Sequence, residues 1–365
     1  MVSLFEIALT FIPGVGAVTA RNLLSYFGSA EEIFKARRAE KLMAVPGIGP
    51  KTAESILRKD FLTQAEKELG FIERYKIEPL FFTSERYPKR LKSCYDAPLL
   101  LYYKGNADLN SGRIVSIVGT RKATQYGKDL TQQLVEDLRQ HNVIVVSGLA
   151  YGIDGIAHKA CLKNEVTTVG VVGHGLDRIY PSQHRALAEK MLSNGGLLTE
   201  FPSETIPDRE NFPKRNRIVA GMSDATIIVE ASLSGGALIT AELANSYNKD
   251  VFAFPGNVYE EFSSGCNYLI KTNRAGLITG IKDLEYLLGW TSDTPKQAAK
   301  QTALFLNLST DEQTLVNILS SRNTCSVDDL TLATQWPQSK LAVTILGLEM
   351  QGIILSLPGK TYKLA

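Results

Sequence analysis

From Ile114 onward the chain alternates short apolar, β-branched runs with longer amphipathic stretches. Residues 114–118, 143–147, 166–172, 225–230 and 251–254 have the length and composition of strands buried on both faces of a parallel sheet. Between the first two, a helix over 126–140 sets Leu130, Leu134 and Leu138 on one face. Such alternation predicts an α/β fold with an extended Rossmann-like, doubly wound parallel sheet. Ligands of that fold bind beyond the carboxyl ends of the strands. Upstream, residues 80–83 and 98–103 read as two strands around a loop with Tyr87 and Pro88, after a charged helical connector over 66–78.

The first 60 residues follow helical spacing and contain a repeat. Leu-Thr-Phe-Ile-Pro-Gly-Val-Gly-Ala-Val-Thr-Ala from Leu9 returns as Leu-Met-Ala-Val-Pro-Gly-Ile-Gly-Pro-Lys-Thr-Ala from Leu42, with Pro13 and Pro46 offset by 33 positions. Each copy reads as helix, tight turn, helix, and the pair resembles a tandem helix-hairpin-helix (SAM-like) module. In that family the Gly-x-Gly turn offers backbone N–H groups to a DNA phosphate without reading sequence. Here Lys51 is the one cation close to either turn. At the other end, helices over 311–320, 327–333 and 339–351 precede a hairpin over 353–364, the pattern of a winged-helix domain. Its third helix opens with the single cation Lys340, so partner docking and DNA binding weigh equally there. The expected division is residues 1–75, 76–290, a polar linker at 291–308, and 309–365.

Composition narrows the function classes. The 365 residues carry 40 basic and 38 acidic side chains, a net charge of +2, so a polyanion must be held by local clusters and not by a global field. Cys94, Cys161, Cys266 and Cys325 are scattered and form no C-x-x-C pair, which argues against zinc and against a disulfide framework and for a reducing, cytoplasmic setting. No basic n-region opens the chain and no apolar run approaches ~18 residues, so neither a signal peptide nor a membrane span is expected.

One such cluster stands out. Phe212-Pro-Lys-Arg-Asn-Arg217 brings Lys214, Arg215 and Arg217 within four positions, behind a ring able to stack on a base. After the strand at 225–230, Ser234-Gly235-Gly236 opens a helix over 238–247 and allows an anion close to its first N–H groups. Gly119-Thr120-Arg121, the segment 147–154 and Gly173-His174-Gly175 follow other strands and should converge on the same crevice, where Arg121 offers a bidentate fork. Asp154 reads as the N-cap of the helix through His158, and His158 as a group packed near that cap.

Competing motifs fail. Arg178 stands where the dinucleotide fingerprint needs its third Gly, and Ile354 where a Walker A motif ending in Gly359-Lys360-Thr361 needs its first. Gly221-Met222-Ser223-Asp224-Ala225 misses the nucleophile elbow at its last position, and the four His lack metal-ligand spacing. No catalytic set, metal site or cofactor is expected.

The order and spacing of six motifs over roughly 140 residues resemble the DNA processing protein A (DprA, also called Smf) family. They are 117–127, 147–154 with Ala157-His158, 175–177 with Tyr180-Pro181, 212–218, 234–241 and Pro255-Gly256. The resemblance implies a non-catalytic single-stranded DNA-binding domain over 76–290 that forms homodimers, protects incoming DNA and loads the RecA recombinase during natural transformation. It implies that Arg121, Lys214, Arg215 and Arg217 hold phosphates, that Gly235 and Gly236 support the strand through backbone N–H groups, and that Phe212 stacks on a base. Gly119, Thr120, Asn216, Ser234 and Thr240 complete the expected DNA site. Family members often carry Ser at the position of Thr120 and a small residue at that of His174. The runner-up is an enzyme: residues 234–242 loosely resemble the Pro-Gly-Gly-x-Gly-Thr-x-x-Glu run of nucleotide phosphoribohydrolases, with Glu242 at the final Glu. A nucleotide-sensing Rossmann protein is the third reading.

Overall fold

Ser3 starts the first helix with a capping box, its hydroxyl accepting from the Glu6 N–H while the Glu6 carboxylate accepts from the Ser3 N–H. Six helices follow in the computed structural model, which describes residues 2–58, 61–290, 308–322 and 324–364. They are α1 (Leu4–Thr10), α2 (Ala17–Phe27), α3 (Ala30–Lys35), α4 (Ala39–Met43), α5 (Pro50–Arg58) and α6 (Phe61–Tyr75). The two Pro-Gly-x-Gly turns join α1 to α2 and α4 to α5. Gly14 and Gly47 sit there at φ +80° and +89°, a region in which any side chain is strained. The turns also pack reciprocally. A Cβ on Gly14 would lie 3.3 Å from Thr52 Oγ1, and one on Gly47 3.8 Å from Thr19 Oγ1, the two threonines holding equivalent places in the repeat. Ile7, Leu23, Leu42, Ile56 and Ile72 build a core that continues into Phe81, Leu100 and Tyr102 of the sheet.

The sheet is formed by β1 (Glu78–Phe81), β2 (Leu100–Gly105), β3 (Ile114–Val118), β4 (Ile144–Ser147), β5 (Thr168–Val171), β6 (Gly195–Thr199), β7 (Ala225–Ile228), β8 (Asp250–Ala253) and β9 (Gly276–Leu277). Between them run α7 (Lys89–Lys92), α8 (Gln125–Leu138), α9 (Ile153–Lys163), α10 (Arg185–Met191), α11 (Asn211–Met222), α12 (Gly236–Ser246) and α13 (Glu261–Lys271). The strand order is β1-β2-β6-β5-β4-β3-β7-β8-β9. β3 to β9 pair in parallel, while β2 runs antiparallel to both β1 and β6. β6 has no counterpart among the expected strands, because it opens with Gly195 and Gly196, which carry no strand signal. Both glycines are demanded by neighbours: a Cβ on Gly195 would fall 1.8 Å from the Thr168 carbonyl oxygen, and one on Gly196 2.6 Å from that of Lys104. The order proceeds outward from β3 through β4 to β6 on one side and from β7 to β9 on the other. The topological switch point therefore lies between β3 and β7, where a doubly wound sheet opens a crevice.

The chain divides into two units, Met1–Leu277 and Ile278–Ala365. The second holds α14 (Ile281–Leu287), α15 (Thr310–Ser321), β10 (Cys325–Ser326), α16 (Val327–Thr334), α17 (Gln338–Met350), β11 (Ile354–Leu357) and β12 (Thr361–Leu364). Its strands pair in the order β10-β12-β11, over a core of Leu315, Leu319, Leu330, Leu341, Ile345 and Leu348. This is the winged-helix arrangement. The expected linker at 291–308 lies outside the described residues except for Leu308.

Candidate functional site

Two loops meet at the switch point, one after β3 and one after β7. The first is held rigid from below. Thr120 donates its N–H to the Glu230 carbonyl at 2.7 Å and accepts from the Ile153 N–H at 3.1 Å, and the Glu230 carboxylate takes the Thr124 N–H at 3.0 Å and hydroxyl at 2.5 Å. Gly119 leaves no room for a side chain, since a Cβ would come within 2.5 Å of Ile153 and 2.9 Å of the Glu230 carbonyl oxygen. Thus fixed, the turn presents the exposed Arg121.

The basic run lies on the first turns of α11, where Pro213 suits the start of a helix. A helix spreads consecutive residues around its axis, so the three cations part company. Lys214 is exposed. Arg215 is 4 % exposed, with Nη1 donating to the Val171 carbonyl at 2.7 Å and Nε buried without a hydrogen-bond partner. Arg217 turns away to the Glu200 carboxylate and the Asp96 carbonyl. Of the three cations expected to hold phosphates, Lys214 is the exposed one, while Arg215 and Arg217 make contacts within the protein. Burial lowers the Arg215 pKa to about 10, which still leaves it charged at neutral pH.

Asp154 is not the N-cap of α9; Gly152 holds that place, and no side chain caps it. Asp154 Oδ2 instead accepts the Ala150 N–H at 3.4 Å, beside Gly148, where a Cβ would lie 2.6 Å from Asp154 Oδ2 and 1.8 Å from Arg215 Nη1. Burial holds the Asp154 carboxyl above its ordinary value, against the pull of Arg215. His158 is fully buried. Thr168 gives its hydroxyl hydrogen to the Val145 carbonyl at 2.9 Å, so its oxygen accepts from His158 Nδ1 at 2.7 Å, and burial drives the imidazole pKa down to about 3. His174 is structural as well: Nε2 accepts the Tyr180 N–H at 3.2 Å, which leaves Nδ1 to donate to the Gly175 carbonyl at 2.9 Å. The buried thiols of Cys161 and Cys266 are pushed up to about 12, outside the range of reactive cysteines.

The crevice between the two loops encloses about 370 Å³. Of the expected site residues, Gly119, Thr120, Arg121, Phe212, Arg215, Asn216, Gly235, Gly236 and Thr240 line it, whereas Lys214, Arg217 and Ser234 do not. Its charged lining is Arg121, Arg209 and Arg215 against the single carboxylate of Asp154. The Arg121 guanidinium lies 5.2 Å from the centroid of the Phe212 ring, whose far neighbour is the Tyr180 ring at 6.1 Å. At the floor α12 begins at Gly236, with Gly235 as an N-cap that supplies no side-chain acceptor. A Cβ on Gly236 would meet nothing within 4 Å, so protein packing does not require glycine there. Asn216 and Thr240 brace this floor, both donating to the Gly236 carbonyl, at 3.5 and 3.3 Å. Positive charge, an aromatic face and uncapped helix N–H groups are the chemistry that an anion and a stacked ring require.

Glu242, the residue on which the glycosidase-like reading depends, is exposed on α12, 3.5 Å from Arg274 and outside the crevice lining. Arg209 in the crevice lining and Tyr180 next to the Phe212 ring lie outside the expected site. Arg209 lies upstream of the basic run without a neighbouring cation to draw notice. Tyr180 entered only as part of a family motif, and its contact with Phe212 depends on the fold.

The family model for DNA recombination-mediator protein A matches residues 78–288. A SAM-like helix-hairpin-helix tandem matches 6–59 and the DprA winged helix domain 295–360. Protein Smf of Synechocystis is 38 % identical over 293 residues, 78 % of this chain and 72 % of that protein. The crystal structure of DNA processing protein A from Streptococcus pneumoniae superposes with a TM-score of 0.67 at 30 % identity, over 78 % of this chain and 97 % of that one. DNA processing protein A from Helicobacter pylori, whose structure was reported for its single-stranded DNA binding mode, gives a TM-score of 0.52 at 31 % identity, over 57 % of this chain and 94 % of that one.

Proposed function

The chain belongs to the DNA processing protein A family, and on that premise we propose that it binds single-stranded DNA in the crevice at the β3/β7 switch point. The observation that carries this is the convergence of Arg121, Arg209 and Arg215 on the uncapped start of α12, with Phe212 beside them. Phosphates meet the guanidinium groups and the Gly235-Gly236 backbone, and one of their oxygens offers Arg215 Nε the acceptor it otherwise lacks. Phe212 takes a base, and Lys214, exposed on α11, adds a phosphate contact outside the crevice lining. Arg215 also braces α11 against Val171, and Arg217 contributes by fixing the same helix against Glu200.

In the same proposal the protein is non-catalytic and cytoplasmic, works as a homodimer, and uses the held strand to load the RecA recombinase during natural transformation. Residues 76–290 form the DNA-binding part, flanked by the helical module at 1–75, the linker at 291–308 and the winged helix at 309–365. Family resemblance supports the recombinase and the dimer. The buried, free state of all four cysteines supports a reducing compartment, and no helix among the described residues is long and apolar enough to cross a membrane.

The test is a loading assay on single strands coated with single-strand-binding protein, following RecA filament growth. The parent should accelerate nucleation, while Arg121→Ala and Lys214→Ala should each weaken DNA binding by about 1 kcal/mol or more, the size of a charge-assisted hydrogen bond, and slow loading in proportion. Parent-like binding by both variants would place the DNA elsewhere.

A further inference from the structure

Arg209 and Phe212 reach the crevice at the end of a long segment without regular structure, residues 200–210, between β6 and α11. Its shape rests on a few pins. Phe201 donates its N–H to Thr199 Oγ1 at 3.1 Å, Glu204 to Asp177 Oδ1 at 3.0 Å, and Gly175 donates to the Thr205 carbonyl at 3.1 Å. These three come from the sheet domain itself, as does the pairing of Arg217 with Glu200 at the start of the segment. Another comes from the N-terminal helices: Glu68 of α6, 4 % exposed, accepts the Ser203 N–H with both carboxylate oxygens, at 3.0 and 3.2 Å, and the Ser203 hydroxyl at 2.5 Å.

A buried carboxylate spent on one residue 135 positions away is a costly contact unless the geometry it fixes matters. Glu204, the next residue, is held at φ +65°, a conformation that costs a side-chain-bearing residue and needs such restraint. A cleft of about 600 Å³ lined by Glu68, Ser203 and Glu204 opens beside the contact, so packing does not back the turn on that flank.

We infer that Glu68 is a positioning residue, a latch through which the N-terminal helical module sets the 200–210 segment and thereby places Arg209 in the crevice. The inference rests on the crevice being the DNA site. With the latch broken, the segment samples other conformations and the competent fraction falls. Apparent affinity falls with it, by about tenfold if one molecule in ten stays competent. Because the loss acts through Arg209, the two positions are coupled. Lys214, carried by α11 and not by the segment, is independent of it.

The experiment uses the full-length chain with Glu68→Ala, and with Ser203→Ala as a milder variant that keeps the backbone contact. Two quantities are measured: affinity for a labelled oligothymidylate, and the rate of tryptic cleavage after Arg209 without DNA. Both variants should cut faster at Arg209 than the parent, Glu68→Ala the more so. Glu68→Ala should bind about tenfold more weakly, with little added loss from Arg209→Ala and a fully additive loss from Lys214→Ala. Unchanged cleavage at Arg209 in both variants overturns the latch, as does a loss of affinity that adds in full to that of Arg209→Ala. Faster cleavage together with parent-like affinity in Phe212→Ala and Lys214→Ala would instead remove the DNA site on which the latch is said to act.

Discussion

Two glycines of the crevice look alike in sequence and differ in what they do. Gly119 is boxed in by Ile153 and the Glu230 carbonyl, so Gly119→Ala should be destabilising, by the 1–3 kcal/mol typical of overpacking, roughly speaking. Gly236 has open space and an ordinary φ, and alanine in the first turn of a helix is intrinsically favoured over glycine by about 1 kcal/mol. Gly236→Ala should therefore leave thermal unfolding unchanged or slightly raised, yet weaken DNA binding, because the added methyl occupies the approach to the α12 N–H groups. Calorimetry and a binding titration on the same samples check both halves. His158 makes a prediction about acid. Its imidazole is held neutral with a pKa near 3, against about 6.5 in an unfolded chain. Between those values the unfolded state binds the extra proton, so stability is complete above pH 6.5 and declines as pH falls towards 3, by up to about 1.4 kcal/mol per unit from this group. In His158→Gln, denaturant titrations from pH 7 to 4 should show a flatter decline than the parent.

At the scale of elements, what could be read from the chain depended on whether the signal was local. The β-branched runs of β3, β4, β5, β7 and β8 betray themselves, and so do the paired Pro-Gly-x-Gly turns and the three helices and hairpin of the second unit. β6 stayed hidden because its two glycines are selected by neighbouring strands, through contacts with Thr168 and Lys104 that no local pattern encodes. α11 illustrates the same limit within the site. Its cations were visible as a cluster, but helical geometry sends Lys214 to solvent, Arg215 into the interior against Val171, and Arg217 to Glu200. Which of three adjacent charges is free for a ligand is a property of the packed helix. Asp154 departs from its sequence expectation in a related way: a carboxylate near a helix start normally caps it, whereas here it is buried beside Arg215 and accepts the Ala150 N–H.

For the whole molecule, a net charge of +2 means that affinity for DNA must come from where the cations stand and not from how many there are. The switch point concentrates three arginines, a stacking ring and a helix start in one crevice, and contacts of that kind go to phosphates and a single base. The proposed function predicts a preference for single strands, because a base must be free to lie on Phe212. The most direct measurement is fluorescence anisotropy of the full-length protein with a labelled oligothymidylate and a duplex of equal length, across a salt series. The single strand should bind more tightly. Its log affinity should fall with log salt at a slope of roughly −0.7 for each phosphate held, and the slope should flatten by about that amount in Lys214→Ala but stay the same in Phe212→Ala. Tighter binding of the duplex, or a single-strand affinity and slope that neither substitution alters, would contradict the account.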